Sequence, residues 1–141
     1  MTERIQRDTY PQIIPVTLLF CALLAALAFL LDSPANALLG LTYIIFTPDT
    51  LITDYIALAG PGGAFLNSAL VTLAALGVLV VAKAPMNGAV CGALGLIAGF
   101  SLFGKDIANI WPILLGGFLF SKLMGVSLAR YAPTILMSTT L

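Results

Sequence analysis

IIPVTLLFCALLAALAFLL, residues 13–31, holds 19 residues without a charge and stops at Asp32. A helix crossing the roughly 30 Å hydrocarbon core of a bilayer needs about 20 apolar residues. This run is therefore read as a membrane-spanning helix. Pro15 stands in its first turn, where a missing N–H costs little. Upstream, residues 1–12 carry Arg4 and Arg7. They read as a cytoplasmic N-terminus rather than as a secretory signal, because the run behind them is long enough to span and be retained.

The rest of the chain has the same character. It has 141 residues, 60% hydrophobic and 9% charged, with a mean hydropathy of +1.09. Soluble domains carry roughly 25% charged residues. A chain this short and this apolar cannot cover its own core with polar surface. The fold class that follows is an all-α integral membrane protein, multi-pass, in the cytoplasmic (inner) membrane. Its immediate partner is the lipid bilayer, with a second copy or the remainder of a longer chain as candidates beyond it.

Six Lys and Arg balance six Asp and Glu, so no basic surface is present to attract nucleic acid. The absence of histidine removes imidazole acid/base chemistry, Ser-His-Asp triads and HExxH zinc sites. No pair of carboxylates is spaced for acid/base hydrolysis. An enzyme is not expected, and neither is a cofactor or a metal. Cys21 and Cys91 each fall within apolar runs and read as packing or lipid-facing residues.

Three further runs are read as spans: 64–82, 87–103 and 107–123, the last with its beginning loosely defined before Pro112. Between the first two spans lie two stretches too short to cross. Residues 35–46 follow the cap Ser33-Pro34, and residues 49–59 follow the breaker Thr47-Pro48-Asp49. In the second, Leu51, Ile52, Tyr55, Ile56 and Ala59 share one helical face, opposite Thr50, Thr53 and Asp54. The pair makes either a re-entrant hairpin of half-length helices or a short helix followed by an interfacial one. With that pair entering and leaving on the outer side, Arg4, Arg7, Lys83, Lys122 and Arg130 lie inside and Lys105 alone outside. Residues 131–141 resemble the opening of a helix that is not completed. Leu39-Gly40-Leu41 matches Leu94-Gly95-Leu96 at an offset of 55 residues, a coincidence that a Leu- and Gly-rich chain produces easily.

Polar residues inside such a chain mark where function would sit. Gly60-Pro61-Gly62-Gly63 precedes the second span, with Asn67 in its first turn. Gly60, Gly62 and Gly63 let backbone N–H groups converge at a positively polarised helix N-terminus, a place for an anion or carboxylate or simply a tight turn. Lys105, Asp106 and Asn109 stand between apolar runs, either as groups for an ion or polar solute or as an interfacial loop ending in Trp111. Asp54 is a third candidate on the polar face of its helix. Asp32 and Asp49 read as capping or loop carboxylates. Gly88, Gly92, Gly95 and Gly99 give one side of the third span small residues only, the pattern of a helix packed tightly on a neighbour or on a second copy.

At residues 60–67, GPGGAFLN, and 103–113, FGKDIANIWPI, the chain resembles the Domain of Unknown Function 1576 family, prokaryotic multi-spanning membrane proteins without an established activity. The likeness covers most of residues 35–131. It implies a longer protein of which this is an N-terminal portion or a truncated gene. The family pattern has an amide after the lysine where this chain has Asp106, which argues against an anion contact there. The family supplies no catalytic residues. The functional expectation is part of a secondary transporter or channel for a small polar solute, and the rival is a non-transporting membrane subunit or scaffold.

Overall fold

The computed structural model describes residues 10–48 and 53–139. Among these residues the chain forms six α-helices and no strand: α1 (Ile13–Leu31), α2 (Pro34–Phe46), α3 (Tyr55–Val81), α4 (Gly88–Phe100), α5 (Trp111–Leu123) and α6 (Leu128–Ser138). Asp49, Thr50, Leu51 and Ile52, part of the second short stretch, lie outside the described residues.

Local chemistry sets most of these boundaries. Ser33 caps α2 by accepting from Asn36 N at 3.3 Å, with Pro34 at the position where no donor is needed. Asp54 caps α3, accepting from Ile56 N at 3.0 Å and Ala57 N at 3.1 Å. Asn87 caps α4 through Val90 N at 3.2 Å. Within α3, Pro61 brings no N–H and its ring crowds the preceding turn. The helix breaks there: Gly60 takes φ 78° and ψ 162°, a left-handed setting that glycine alone tolerates cheaply. The break divides α3 into a short turn, 55–59, and a long arm, 61–81.

Among the described residues two helices are long and apolar enough to cross a membrane, α1 with 19 residues and α3 with 27. The long arm of α3 alone rises about 31 Å. The apolar runs 87–103 and 107–123 yield only 13 helical residues each, in α4 and α5. At 1.5 Å per residue that is about 20 Å, short of a full crossing.

The long arm of α3 is the spine of the fold. α1 lies antiparallel to it, Asp32 meeting Gly62 at one end and Ile13 and Ile14 packing on the cluster of Leu79 and Met86 at the other. Tyr10 N donates to Met86 O at 2.6 Å. α2 crosses the arm where Gly40 faces Gly63: a Cβ on Gly63 would stand 2.8 Å from the Gly40 carbonyl carbon, and one on Gly40 would strike the Ala59 carbonyl oxygen. α4 runs back along the arm, Ala98 beside Ser68 and Ser101 beside Asn67. α5 then returns past the same half of the arm, sharing a cavity wall with residues 74–82. α4, the irregular segment 101–110 and α5 thus form a hairpin of two half-length helices. α6 closes it, Ala132 and Leu136 joining Val71, Leu79, Val90 and Leu94 in the main core. Residues 131–138 are the body of this helix, which opens at Leu128.

The glycine stripe of α4 does not pack on any of the described residues. Gly88, Gly92, Gly95 and Gly99 are all exposed, with no atom within 4 Å of where a Cβ would stand. The helix is held instead by Val90, Ala93, Leu94 and Ile97. Branched side chains remove more apolar area from solvent than bare glycines can, so they take the inner face. Gly40 is buried whereas Gly95, its counterpart in the 55-residue echo, is exposed. The two segments occupy unlike environments.

Candidate functional site at the broken helices

The break at Gly60-Pro61 starts a new helix whose N-cap position is glycine. A serine or aspartate there would satisfy the second or third N–H of the helix. Gly60 has no side chain, and Asp32, at the end of α1, takes over: its Oδ2 accepts from Gly62 N at 2.7 Å. The fit requires glycine, since a Cβ on Gly62 would lie 2.6 Å from Asp32 Cβ. The Gly62 N–H is thus taken by a carboxylate of the chain itself. Nothing in the spacing of Asp32 and Gly62 reveals this; it depends on how α1 docks.

Asn67 lies six residues beyond Pro61, about 9 Å along the arm, and is fully buried. Its Nδ2 donates to Ser101 O at 2.8 Å and to Lys105 O at 2.7 Å. Both amide hydrogens are committed, which fixes the orientation of the group: rotated by half a turn, its oxygen would face two carbonyl oxygens. Asn67 Oδ1 is left buried without a hydrogen-bond partner. Such an atom costs about 1–3 kcal/mol. The neighbouring polar groups are satisfied, Ser68 Oγ donating to Ala98 O at 2.7 Å and Ser101 Oγ to Ile97 O at 2.6 Å.

The hairpin tip is stapled to itself. Asp106, 2% exposed, accepts through Oδ1 from Ala108 N at 2.6 Å and Asn109 N at 3.0 Å. Asn109 Oδ1 accepts from Asp106 N at 3.1 Å while its Nδ2 donates to Gly104 O at 3.0 Å. Asp106 and Asn109 therefore supply partners for backbone that no helix serves. Lys105 contributes its carbonyl to Asn67, and its half-exposed side chain has no hydrogen-bond or ion-pair partner among the described residues.

The second short stretch and the end of the third apolar run meet backbone to backbone. Thr53 N donates to Phe103 O and Tyr55 N to Leu102 O, each at 3.2 Å. Of the residues singled out in the sequence, the structure brings Asn67 onto the Lys105 carbonyl, while Gly60, Gly62 and Gly63 stand apart against Asp32 and Gly40 and Asp106 and Asn109 bond within the tip. The Asp54 side chain is exposed and occupied in capping α3. Cys21 is buried and Cys91 exposed, and both are free.

The sequence pattern of one family, described as "Protein of unknown function (DUF1576)", matches residues 33–141. The chain belongs to the DUF1576 family. The match begins directly after α1 and Asp32, so in this DUF1576 chain the carboxylate that caps Gly62 stands one residue before the shared region. Asn67 and the hairpin tip lie inside it. No curated protein and no solved structure matches the chain.

Proposed function

We propose that this DUF1576 chain is part of an inner-membrane transporter or channel for a small polar solute, contacted at Asn67. The observation that carries the reading is Asn67 Oδ1, a buried acceptor held in a fixed direction with no donor. A solute that offers a hydrogen-bond donor or a positive charge there relieves the cost. The anion-type site next to it already holds Asp32, so the group still seeking a partner is an acceptor.

The distribution of polarity supports the membrane setting. Asn67, Ser68, Thr72, Ser101 and Asp106 are buried, whereas Leu19, Leu23, Leu30, Leu115 and Leu119 are exposed. Polar residues buried beneath so apolar a surface suit a hydrocarbon solvent. In this reading α1 and the long arm of α3 cross the bilayer, and α4 and α5 enter together from the side of Lys83, Lys122 and Arg130. That side is cytoplasmic, along with the N-terminus. Irregular backbone at depth is tolerated where it lines an aqueous path or is covered by protein, and in this reading the tip at 104–109, with Ala108 exposed, lines such a path. Half-length helices around a central polar site are a transporter device.

The test is uptake by proteoliposomes of a panel of small cations, amino acids and polyols. Uptake of at least one class, lost in Asn67→Leu with helicity and monodispersity retained, is the expected result. A folded protein that moves none of them, or one whose uptake survives Asn67→Leu, refutes the proposal.

The exposed glycine face of α4 favours a second reading, a subunit or scaffold in which Gly88, Gly92, Gly95 and Gly99 receive a helix of another copy or of further chain. That reading requires Gly95→Leu to abolish a stoichiometric complex recovered in mild detergent.

A further inference from the structure

A cavity of about 390 Å³ opens between α3, α5 and α6, walled by Gly77, Val81, Trp111, Phe118, Leu128 and Ile135 among other apolar residues. Three cations stand within four residues of its walls along the chain. Lys83 follows the wall residue Ala82 directly. Lys122 lies one turn past Phe118 with its Nζ 5.3 Å from that ring's centroid. Arg130 stands two residues after Leu128, against the ring of Tyr131, which in turn meets Phe120. All three are exposed, and none has an ion-pair partner among the described residues. From residue 55 onward the chain has a single carboxylate, Asp106, and it sits at the far tip of the hairpin. An apolar slot with a basic rim that no described carboxylate neutralises is complementary to an anionic amphiphile.

We propose that this cavity seats an acyl chain of an anionic phospholipid whose phosphate lies on Lys83, Lys122 and Arg130. The dimensions agree. Eleven residues separate Lys122 from Trp111 along α5, a rise of about 16 Å, close to the depth of one leaflet's hydrocarbon. A chain anchored at Lys122 therefore brings its distal half to Trp111. The proposal rests on the membrane setting argued above and is independent of a solute path.

Trp111 is the single tryptophan of the protein and a wall residue, so its fluorescence reports the occupant. The experiment compares quenching in vesicles of phosphatidylglycerol or phosphatidylcholine with chains brominated in their distal half. The expected result is stronger quenching by the anionic lipid, the preference falling by about fivefold for each cation replaced in Lys83→Gln, Lys122→Gln and Arg130→Gln. These side chains are exposed, so the variants keep their fold. Gly77→Leu, at a position with nothing within 4 Å of a Cβ, fills the slot and lowers quenching by both lipids. Equal quenching by the two lipids overturns the proposal. So does the absence of quenching, which means that protein rather than lipid occupies the slot. A companion variant, Phe29→Trp with Trp111→Phe, reports from the exposed face of α1: quenching there without headgroup preference at Trp111 defeats the lipid site alone, whereas no quenching at position 29 defeats the membrane setting as well.

Discussion

Asp32 Oδ2 accepts a hydrogen bond from Gly62 N, 30 residues later in the chain, at 2.7 Å, so the carboxylate that follows α1 caps the long arm of α3. The bond ties the first helix to the break in α3 and neutralises part of the positive pole of the long arm.

Removing that carboxylate should loosen the pair. Asp32→Ala is expected to destabilise the protein by about 1–3 kcal/mol, and Asp32→Asn by less because a neutral acceptor remains. Gly62→Ala should cost as much as Asp32→Ala, since its Cβ would press on Asp32. Thermal unfolding in detergent, followed by circular dichroism, measures all three. Equal stability of Asp32→Ala and the parent would show that the cap contributes nothing.

Glycines should divide into two classes. Gly63→Ala and Gly40→Ala force backbone apart at the α2–α3 crossing and should lower stability by at least 2 kcal/mol, within the range for overpacked sites, about 1–3 kcal/mol or more. Gly92→Ala and Gly95→Ala meet open space and should raise it by roughly 0.5–1 kcal/mol through helix propensity. The same melts decide. A marked loss at Gly95→Ala would mean that another helix covers the stripe.

These contrasts show how far the sequence carries. The length of run 13–31, the glycine-proline turn before the second span and the cap at Ser33 are local, and local chemistry announces them; Asp54, read as a site candidate, and Asn87, read as the start of a span, are caps as well. The polar positions of interest were also visible, since Asn67, Lys105, Asp106 and Asn109 stand out in so apolar a chain. Their division of labour was not. Whether Asp106 serves a ligand or its own turn depends on which backbone groups lie within 3 Å of it. Whether the α4 glycines pack depends on which face a tertiary neighbour covers, and composition cannot distinguish an inner small-residue face from an outer one. The half-length of α4 and α5 escaped because the apolar runs extend to Phe103 and begin again at Ile107, whereas the helices stop at Phe100 and start at Trp111.

The hairpin tip should tolerate loss of charge but not of the acceptor. Asp106→Asn keeps the oxygen that receives Ala108 N and Asn109 N and should fold with near-parental stability. Asp106→Ala and Asn109→Ala each release two or more backbone partners and should cost about 1–2 kcal/mol. Limited proteolysis at Lys105 reads the local opening, and cleavage unchanged in Asp106→Ala would contradict the stapling role.

Asn67 should respond differently to each replacement. Asn67→Asp keeps an oxygen in the same place but sets a second one against the Ser101 and Lys105 carbonyls, so it should be less stable than Asn67→Leu, which removes the orphan acceptor along with the two bonds. Melts of the two variants test the order, and a more stable Asn67→Asp would show that the amide does not stand as described.

The central claim is that the tip beside Asn67 meets an aqueous path. Ala108, exposed and bonded through its N–H to Asp106, is the place to test it. With Cys21→Ser and Cys91→Ser as background, Ala108→Cys is treated in membrane vesicles with a small impermeant thiol reagent, alongside Lys122→Cys as a surface reference. The account predicts labelling at position 108 that is slower than at position 122 and is suppressed by the solutes taken up in the transport panel. Failure to label, or labelling as fast as at position 122 and indifferent to every solute, would contradict it.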